Sequence, residues 1–243
     1  MKYLASLIFF ASIHFIAHSA LAAKTLSEAS NCVECSFAPA TLSKDALNAR
    51  SIRNAVSNGT EPQSVADIGE RMNWAATCSK FAKGNSYGPW GLAVISELET
   101  NKYDELIRGS SDLYRICPGY QQMDRDGKNG MWVAIIAAMA NHESSCRENP
   151  PLHGGPNGTL VGLMQLHKGR ENAYSPDGCK RGDGSTAKGS IRCSLSMIND
   201  QLGRGLPLFA KSGETYWEVL QRTSRKKIYA EIQEAIQDYA LCR

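Results

Sequence analysis

The stretch Gly130–Cys146, GMWVAIIAAMANHESSC, decides how the chain is read. Trp132, Ile135, Ile136, Met139 and Glu143 fall on one face of a helix of period 3.6, with Ile135, Met139 and Glu143 stacked at successive four-residue steps. A carboxylate at the end of an apolar stripe needs an explanation. Partial burial among Trp, Ile and Met disfavours the ionised form and raises the pKa, which suits a general acid that holds its proton near neutral pH. Glu143 is also readable as a surface carboxylate that bends out to solvent or pairs with Arg147 at the next turn.

Working outward, helical spacing recurs and alternating strand patterns are scarce, so a mainly α fold is expected. Helices are predicted over Ser43–Val56, Ser64–Lys83, Gly91–Glu99, Asp104–Ile116, Gly130–Ser144, Ile191–Leu202, Thr215–Thr223 and Lys226–Leu241. The last carries Ile228, Ile232 and Ile236 at four-residue steps, a core-facing stripe. Residues 147 to 190 hold most of the Gly and Pro punctuation, and a long irregular stretch inside a compact domain is usually functional. Cys117 to Gly130 is a weak boundary. It divides a helical N-terminal extension, 23–125, from a catalytic domain, 126–243.

The start of the chain has a different character. Lys2, the apolar run Leu4 to Ala17 and the small residues Ser19 to Ala23, with Ala-x-Ala at Ala20 and Ala22, read as a secretory signal over 1–22. The apolar run is short of the roughly 20 residues a bilayer requires, so no stable membrane insertion is expected. The protein is placed outside the cytoplasm, secreted or periplasmic. Without Lys2, 26 basic side chains stand against 24 acidic ones, too even a balance to indicate a nucleic-acid partner. Arg225, Lys226 and Lys227 form the one basic run, read as a solvated helix face.

Eight cysteines, Cys32, Cys35, Cys78, Cys117, Cys146, Cys179, Cys193 and Cys242, lie beyond the signal and suit an oxidising compartment and a disulfide-stapled fold. Only Cys179 with Cys193 is assigned, because the Gly-, Lys- and Ser-rich segment between them needs a staple to be ordered. Cys32 and Cys35 have redox-motif spacing but no strand-helix context, so a structural role is expected for them.

Beyond Glu143 come Ser144 and Ser145, and then Gly162, Leu163, Met164 and Gln165. A helix-terminal Glu-Ser followed by Gly-Leu-Met-Gln at this separation resembles the catalytic centre of lytic transglycosylases and goose-type lysozymes, which cleave the glycan strands of peptidoglycan. The resemblance covers roughly residues 130 to 205. It implies a lysozyme-like fold with Glu143 as the catalytic acid, Ser144 supporting it, and Gly162 to Gln165 lining the sugar cleft. In physical terms Gly162 permits close backbone approach, Leu163 and Met164 pack beneath the site, and Gln165 offers an amide to sugar hydroxyls. The implied partner is the peptidoglycan glycan strand, acted on by a monomer without a metal or cofactor.

The chain also departs from the pattern. Goose-type lysozymes place aspartates where this sequence has Pro156 and His167, leaving Glu148, Asp177 and Asp183 as possible second carboxylates. Transglycosylases need none, because the sugar's own hydroxyl attacks. The family's Asn-rich helix start is Ser190, Ile191, Arg192 and Cys193 here, and its later Tyr-Asn element is missing. Tyr216, followed by Trp217, is the candidate for the substrate-side tyrosine, with Tyr229 second, though either can be a core aromatic. Trp74 and Trp90 can stack on sugars, but core packing is the simpler reading. More loosely, this exported, cysteine-rich form is similar to the deacetylation-specific lysozymes of predatory bacteria, which implies a cationic substrate.

Three other readings compete. His142, Glu143 and Cys146 have the spacing of a zinc-protease helix whose second histidine has become cysteine, with His153 and His167 nearby. An oxidised Cys146 would remove that reading. Asp124, Asp126 and Asn129 are out of step with a calcium loop and read better as a cap for the adjoining helix. The third is a non-catalytic wall-binding protein, which would have no use for a buried acid.

Overall fold

The computed structural model describes residues 61–150, 153–155, 158–224 and 226–242, all within the unit Lys44–Arg243. The signal segment, the helix expected over Ser43–Val56, Cys32, Cys35, Pro156 and Arg225 lie outside the described residues.

Seven α-helices and five short strands are described: α1 (Glu61–Arg71), β1 (Ala82–Lys83), β2 (Ser86–Tyr87), α2 (Pro89–Leu98), α3 (Asp104–Arg108), α4 (Ser111–Ile116), α5 (Arg125–Ser144), β3 (His153–Gly155), β4 (Gly158–Val161), β5 (Leu166–His167), α6 (Ala187–Gly203) and α7 (Ile228–Gln237). The fold is mainly helical. β1 and β2 form a small hairpin, and β3, β4 and β5 an antiparallel sheet in that order, registered by Gly154 opposite Thr159 and Val161 opposite Leu166.

The centre of the molecule is α5. Asp124 caps it by accepting from the Gly127 N–H at 2.8 Å, so the polar turn read as a cap is one. Every residue from Met131 to Ala140 is fully buried. A helix apolar on all sides has no solvent face to present, and it must be enclosed by others. α1, α2 and α7 pack on it, and α3 makes a smaller contact. The one polar side-chain group within that buried run is satisfied, since Trp132 Nε1 donates to the Leu106 carbonyl and to the Tyr120 hydroxyl, each at 3.0 Å.

The structure corrects several helix boundaries. Ser64–Lys83 is not continuous: α1 stops at Arg71, Asn73 takes a left-handed φ of 52°, a 3-10 turn covers Ala76–Lys80, and β1 comes next. Asp104–Ile116 is broken at Gly109, whose φ of 82° no helix accommodates. Thr215–Thr223 holds only the 3-10 turn Glu218–Leu220. The C-terminal helix is shorter than expected, but Ile232 and Ile236 are buried as its stripe predicts.

Three disulfides staple the described chain, the long-range Cys78–Cys146 and Cys117–Cys242 and the expected local Cys179–Cys193. The first two tie residues before α5 to residues after it. Residues 61–122 therefore pack on the central helix and are also covalently linked to the C-terminal side of it.

Candidate active site

Glu143 lies in the last turn of α5, and several contacts fix that turn. Ser145 and Cys146 both adopt left-handed φ, 52° and 51°, and end the helix abruptly. Cys146 is bonded to Cys78, Asn141 Oδ1 accepts from the Ala75 N–H at 3.0 Å, and the Thr77 hydroxyl donates to the Ser145 carbonyl at 2.7 Å. Ser144 is buried. Its hydroxyl donates to the Ala140 carbonyl at 3.1 Å and accepts from the Arg147 N–H at 3.2 Å, so it braces the turn that carries the acid.

The Glu143 side chain is half-buried, and no described residue hydrogen-bonds or ion-pairs with it, Arg147 included. Burial, reinforced by the charge of Glu218 and opposed by Lys226, pushes its carboxyl from an ordinary 4.5 up to about 8. The group is thus a carboxylic acid at neutral pH, able to donate a proton.

The Gly-Leu-Met-Gln segment is the tight turn between β4 and β5. Gly162 has φ of 73°, and a Cβ there would sit 1.8 Å from the Gly184 carbonyl oxygen, so no other residue fits. Leu163 and Met164 are fully buried. Gln165 is only 3% exposed, and its amide nitrogen donates to the Gly162 carbonyl at 3.0 Å. The side chain expected to offer its amide to sugars instead closes the turn.

The turn holds the 216 loop through hydrogen bonds. Trp217 Nε1 donates to the Met164 carbonyl at 3.0 Å, and the Tyr216 hydroxyl donates to the Gln165 carbonyl at 3.1 Å while accepting from the His167 N–H at 2.9 Å. Burial raises the Tyr216 pKa, and Glu143 is among the charges that raise it further. Tyr216 and Glu143 are therefore electrostatic neighbours. Tyr229 is half-buried and packs against the core.

The carboxylate whose charge most affects Glu143 is Glu218, which nothing in the sequence had marked. It starts the 3-10 turn after Trp217, which packs on both α5 and α7. Ser224 Oγ donates to one carboxylate oxygen at 3.1 Å, and Lys226 Nζ lies 3.4 Å from the other. The two charged side chains are 52% and 67% exposed, so this side of the site is open to water. The only sequence hint was the basic run containing Lys226, read as a solvated face.

Two of the carboxylates expected as alternatives have structural partners. Glu148 accepts from the Ala187 N–H at 2.9 Å at the start of α6, where a negative group suits the helix dipole. Asp183 is buried, accepting from the Lys180 N–H at 2.7 Å and pairing with Arg192. Asp177 is exposed and lines a cleft of about 930 Å³ beside Lys188 and Arg192. Trp90 is a core residue against Phe81, and Trp74 lines a smaller apolar cleft with Val65 and Ala66.

The zinc arrangement does not form. Cys146 is in a disulfide, and His142 Nε2 faces Glu231 at 3.4 Å. Among the described residues no group of three His, Cys, Asp or Glu side chains is placed to hold a metal.

Solved structures share this arrangement of helices. Bd0314 DslA, a Bdellovibrio lysozyme-like protein, aligns in its wild-type form 2 with a TM-score of 0.55 and 20% identity, covering 63% of this chain and 91% of that one. The fold is lysozyme-like. Two glutamate-to-glutamine mutants of DslA align with a TM-score of 0.54 at 20% and 17% identity, over the same shares of the two chains. No family model matches the sequence, and no curated protein does. Within this lysozyme-like fold, Glu218 and Tyr216 are electrostatic neighbours of Glu143, and Tyr216 is hydrogen-bonded to the Gln165 carbonyl of the Gly162 turn.

Proposed function

We propose that the protein is an exported muramidase that cuts the β-1,4 bond between muramic acid and glucosamine in peptidoglycan, with Glu143 as general acid. The observation that carries this is Glu143 itself, a half-buried carboxyl in the last turn of the central helix of a lysozyme-like fold, held protonated to about pH 8. Its proton passes to the bridging oxygen, the bond from that oxygen to the sugar's anomeric carbon breaks, and positive charge develops on the ring. The step needs a proton donor and a nucleophile, and no cofactor enters it.

Glu218 favours water as that nucleophile. Its carboxylate stands on the open side of the site, where it can take a proton from the attacking water. Attack by the sugar's own C6 hydroxyl, giving 1,6-anhydro ends, is the alternative outcome. The same carboxylate offers a counter-charge to the free ammonium of a deacetylated glucosamine, and we extend the proposal to a preference for deacetylated strands. Export is supported by the three disulfides.

Incubation with purified wall sacculi tests the proposal. Wild type should release soluble fragments with reducing ends, faster from deacetylated than from acetylated sacculi, and a folded Glu143→Gln variant should release none. Equal release by both proteins overturns the role of Glu143, and anhydro ends overturn the role of water.

A further inference from the structure

Two side chains outside the reaction described above converge with Tyr216 on a single atom. Nδ1 of His167 lies 2.8 Å from the Tyr174 hydroxyl and 2.8 Å from the Tyr216 hydroxyl. The three rings pack together, His167 stacked on Tyr174 with centroids 5.6 Å apart, and Tyr216 edge-on to His167 at 5.5 Å and to Tyr174 at 4.8 Å. Trp217 closes the group edge-on to Tyr216 at 4.9 Å.

Counting protons assigns the bonds. The Tyr216 oxygen accepts from the His167 backbone N–H, and its single proton serves the Gln165 carbonyl. Both Nδ1 contacts are hydrogen bonds when Nδ1 carries the proton of the neutral imidazole and shares it between the Tyr174 and Tyr216 oxygens. Burial and the nearby Arg170 lower the His167 pKa and keep the ring neutral, as this pattern needs. In this arrangement both lone pairs and the proton of the Tyr216 hydroxyl are used. The Tyr216 hydroxyl is then engaged within the protein, and what it leaves for a ligand beside Glu143 is the ring.

We infer that His167 and Tyr174 are positioning residues that hold the Tyr216 ring as an aromatic platform for the sugar next to Glu143. The inference rests on the glycan-cleaving reading above and deepens it by naming what sets the platform. A pyranose presents a face of C–H groups that packs on an aromatic ring, so a platform fixed in angle contributes to binding more than to the chemical step. Without the His167 Nδ1–H, the Tyr174 and Tyr216 oxygens lose the donor they share, and both rings lose their common anchor.

The test is steady-state cleavage of soluble wall glycan by three variants, each first checked for an unchanged melting temperature. His167→Leu should raise KM about tenfold with kcat within about twofold. His167→Asn, whose amide keeps an N–H donor near the Nδ1 position, should bring KM back to within about threefold of wild type. Tyr174→Phe should raise KM about threefold. Equal defects in the Leu and Asn variants mean that the imidazole acts only as packing and overturn the inference, as does an unchanged KM in His167→Leu or a fall in kcat alone. If a variant melts early, KM for Tyr216→Phe, which keeps the ring and cuts only the hydroxyl, decides in its place: a rise supports the anchored platform and no change overturns it. Failure of wild type to cleave glycan would instead overturn the reading beneath.

Discussion

The two walls of the proposed site, the Glu218 turn beside Glu143 and the Gly162–Gln165 turn linked to it through Tyr216, are built on opposite principles. The Gly162–Gln165 turn is buried, closed by its own backbone and amide bonds, and tolerates no side chain at its first residue. The Glu218–Lys226 wall is a 3-10 turn and an exposed loop held by a hydroxyl and an ion pair in contact with water. The first wall can fix geometry to a fraction of an ångström but offers little free polar chemistry. The second supplies charge and access to water but only weak positional restraint. An acid-catalysed cleavage in which water attacks needs both.

The largest effect should come from the group between the walls. Glu143→Gln is expected to lower fragment release from sacculi by about 10³- to 10⁴-fold. The same change should stabilise the fold in neutral and alkaline solution. Because the folded pKa, about 8, lies above the ordinary 4.5, protonated Glu143 contributes stability that is fully present below pH 4.5 and lost as pH rises through 8. Chemical denaturation at pH 8.5 should therefore find the Gln variant more stable by about 1–2 kcal/mol, less than the full shift implies because the carboxyl keeps some contact with water. Wild-type activity should fall along a limb centred near pH 8, where the acid loses its proton.

On the open wall, Glu218→Gln should slow hydrolysis about 10²-fold while leaving the fold intact, and mass spectrometry should find a larger share of anhydro ends. It also removes a charge that raises the Glu143 pKa, so the residual activity should begin to fall at lower pH than in wild type. On the closed wall, Gly162→Ala should cost about 2 kcal/mol or more in urea unfolding, because the new Cβ meets the Gly184 carbonyl. A tolerated alanine would show that the turn is not rigid and erase the contrast. Lys226→Ala should matter least, changing stability by less than about 1 kcal/mol, as expected of an exposed ion pair. With one positive charge gone the Glu143 pKa rises, and the activity limb moves slightly to higher pH.

This contrast also explains what could be read in the sequence. α5 and Glu143 were legible because ten consecutive buried positions and a carboxylate one turn further on leave a local pattern. The Gly162 turn was legible by resemblance, and its glycine by steric need, but the inward direction of the Gln165 amide was not, since it depends on a left-handed Gln165 with φ of 50°. Glu218 left no trace. It stands 75 positions after Glu143, in a segment whose composition suggested a helix, and only the packing of its 3-10 turn on α5 and α7 brings it to the acid. The disulfides divide in the same way. Cys179–Cys193 spans 14 residues and could be assigned locally, whereas separations of 68 and 125 give a reader nothing to pair. The break in α1 was hidden because Met72, Asn73 and Trp74 contain neither glycine nor proline.

The Cys78–Cys146 and Cys117–Cys242 bridges overlap along the chain, each closing a ring that contains one end of the other. A protease that cuts one peptide bond anywhere between Cys78 and Cys242 meets at least one of these rings and cannot separate the pieces. A nicked molecule keeps both walls and the acid between them on one covalent framework. Release of any piece between Cys78 and Cys242 that is free of both bridges requires two cuts, or reduction.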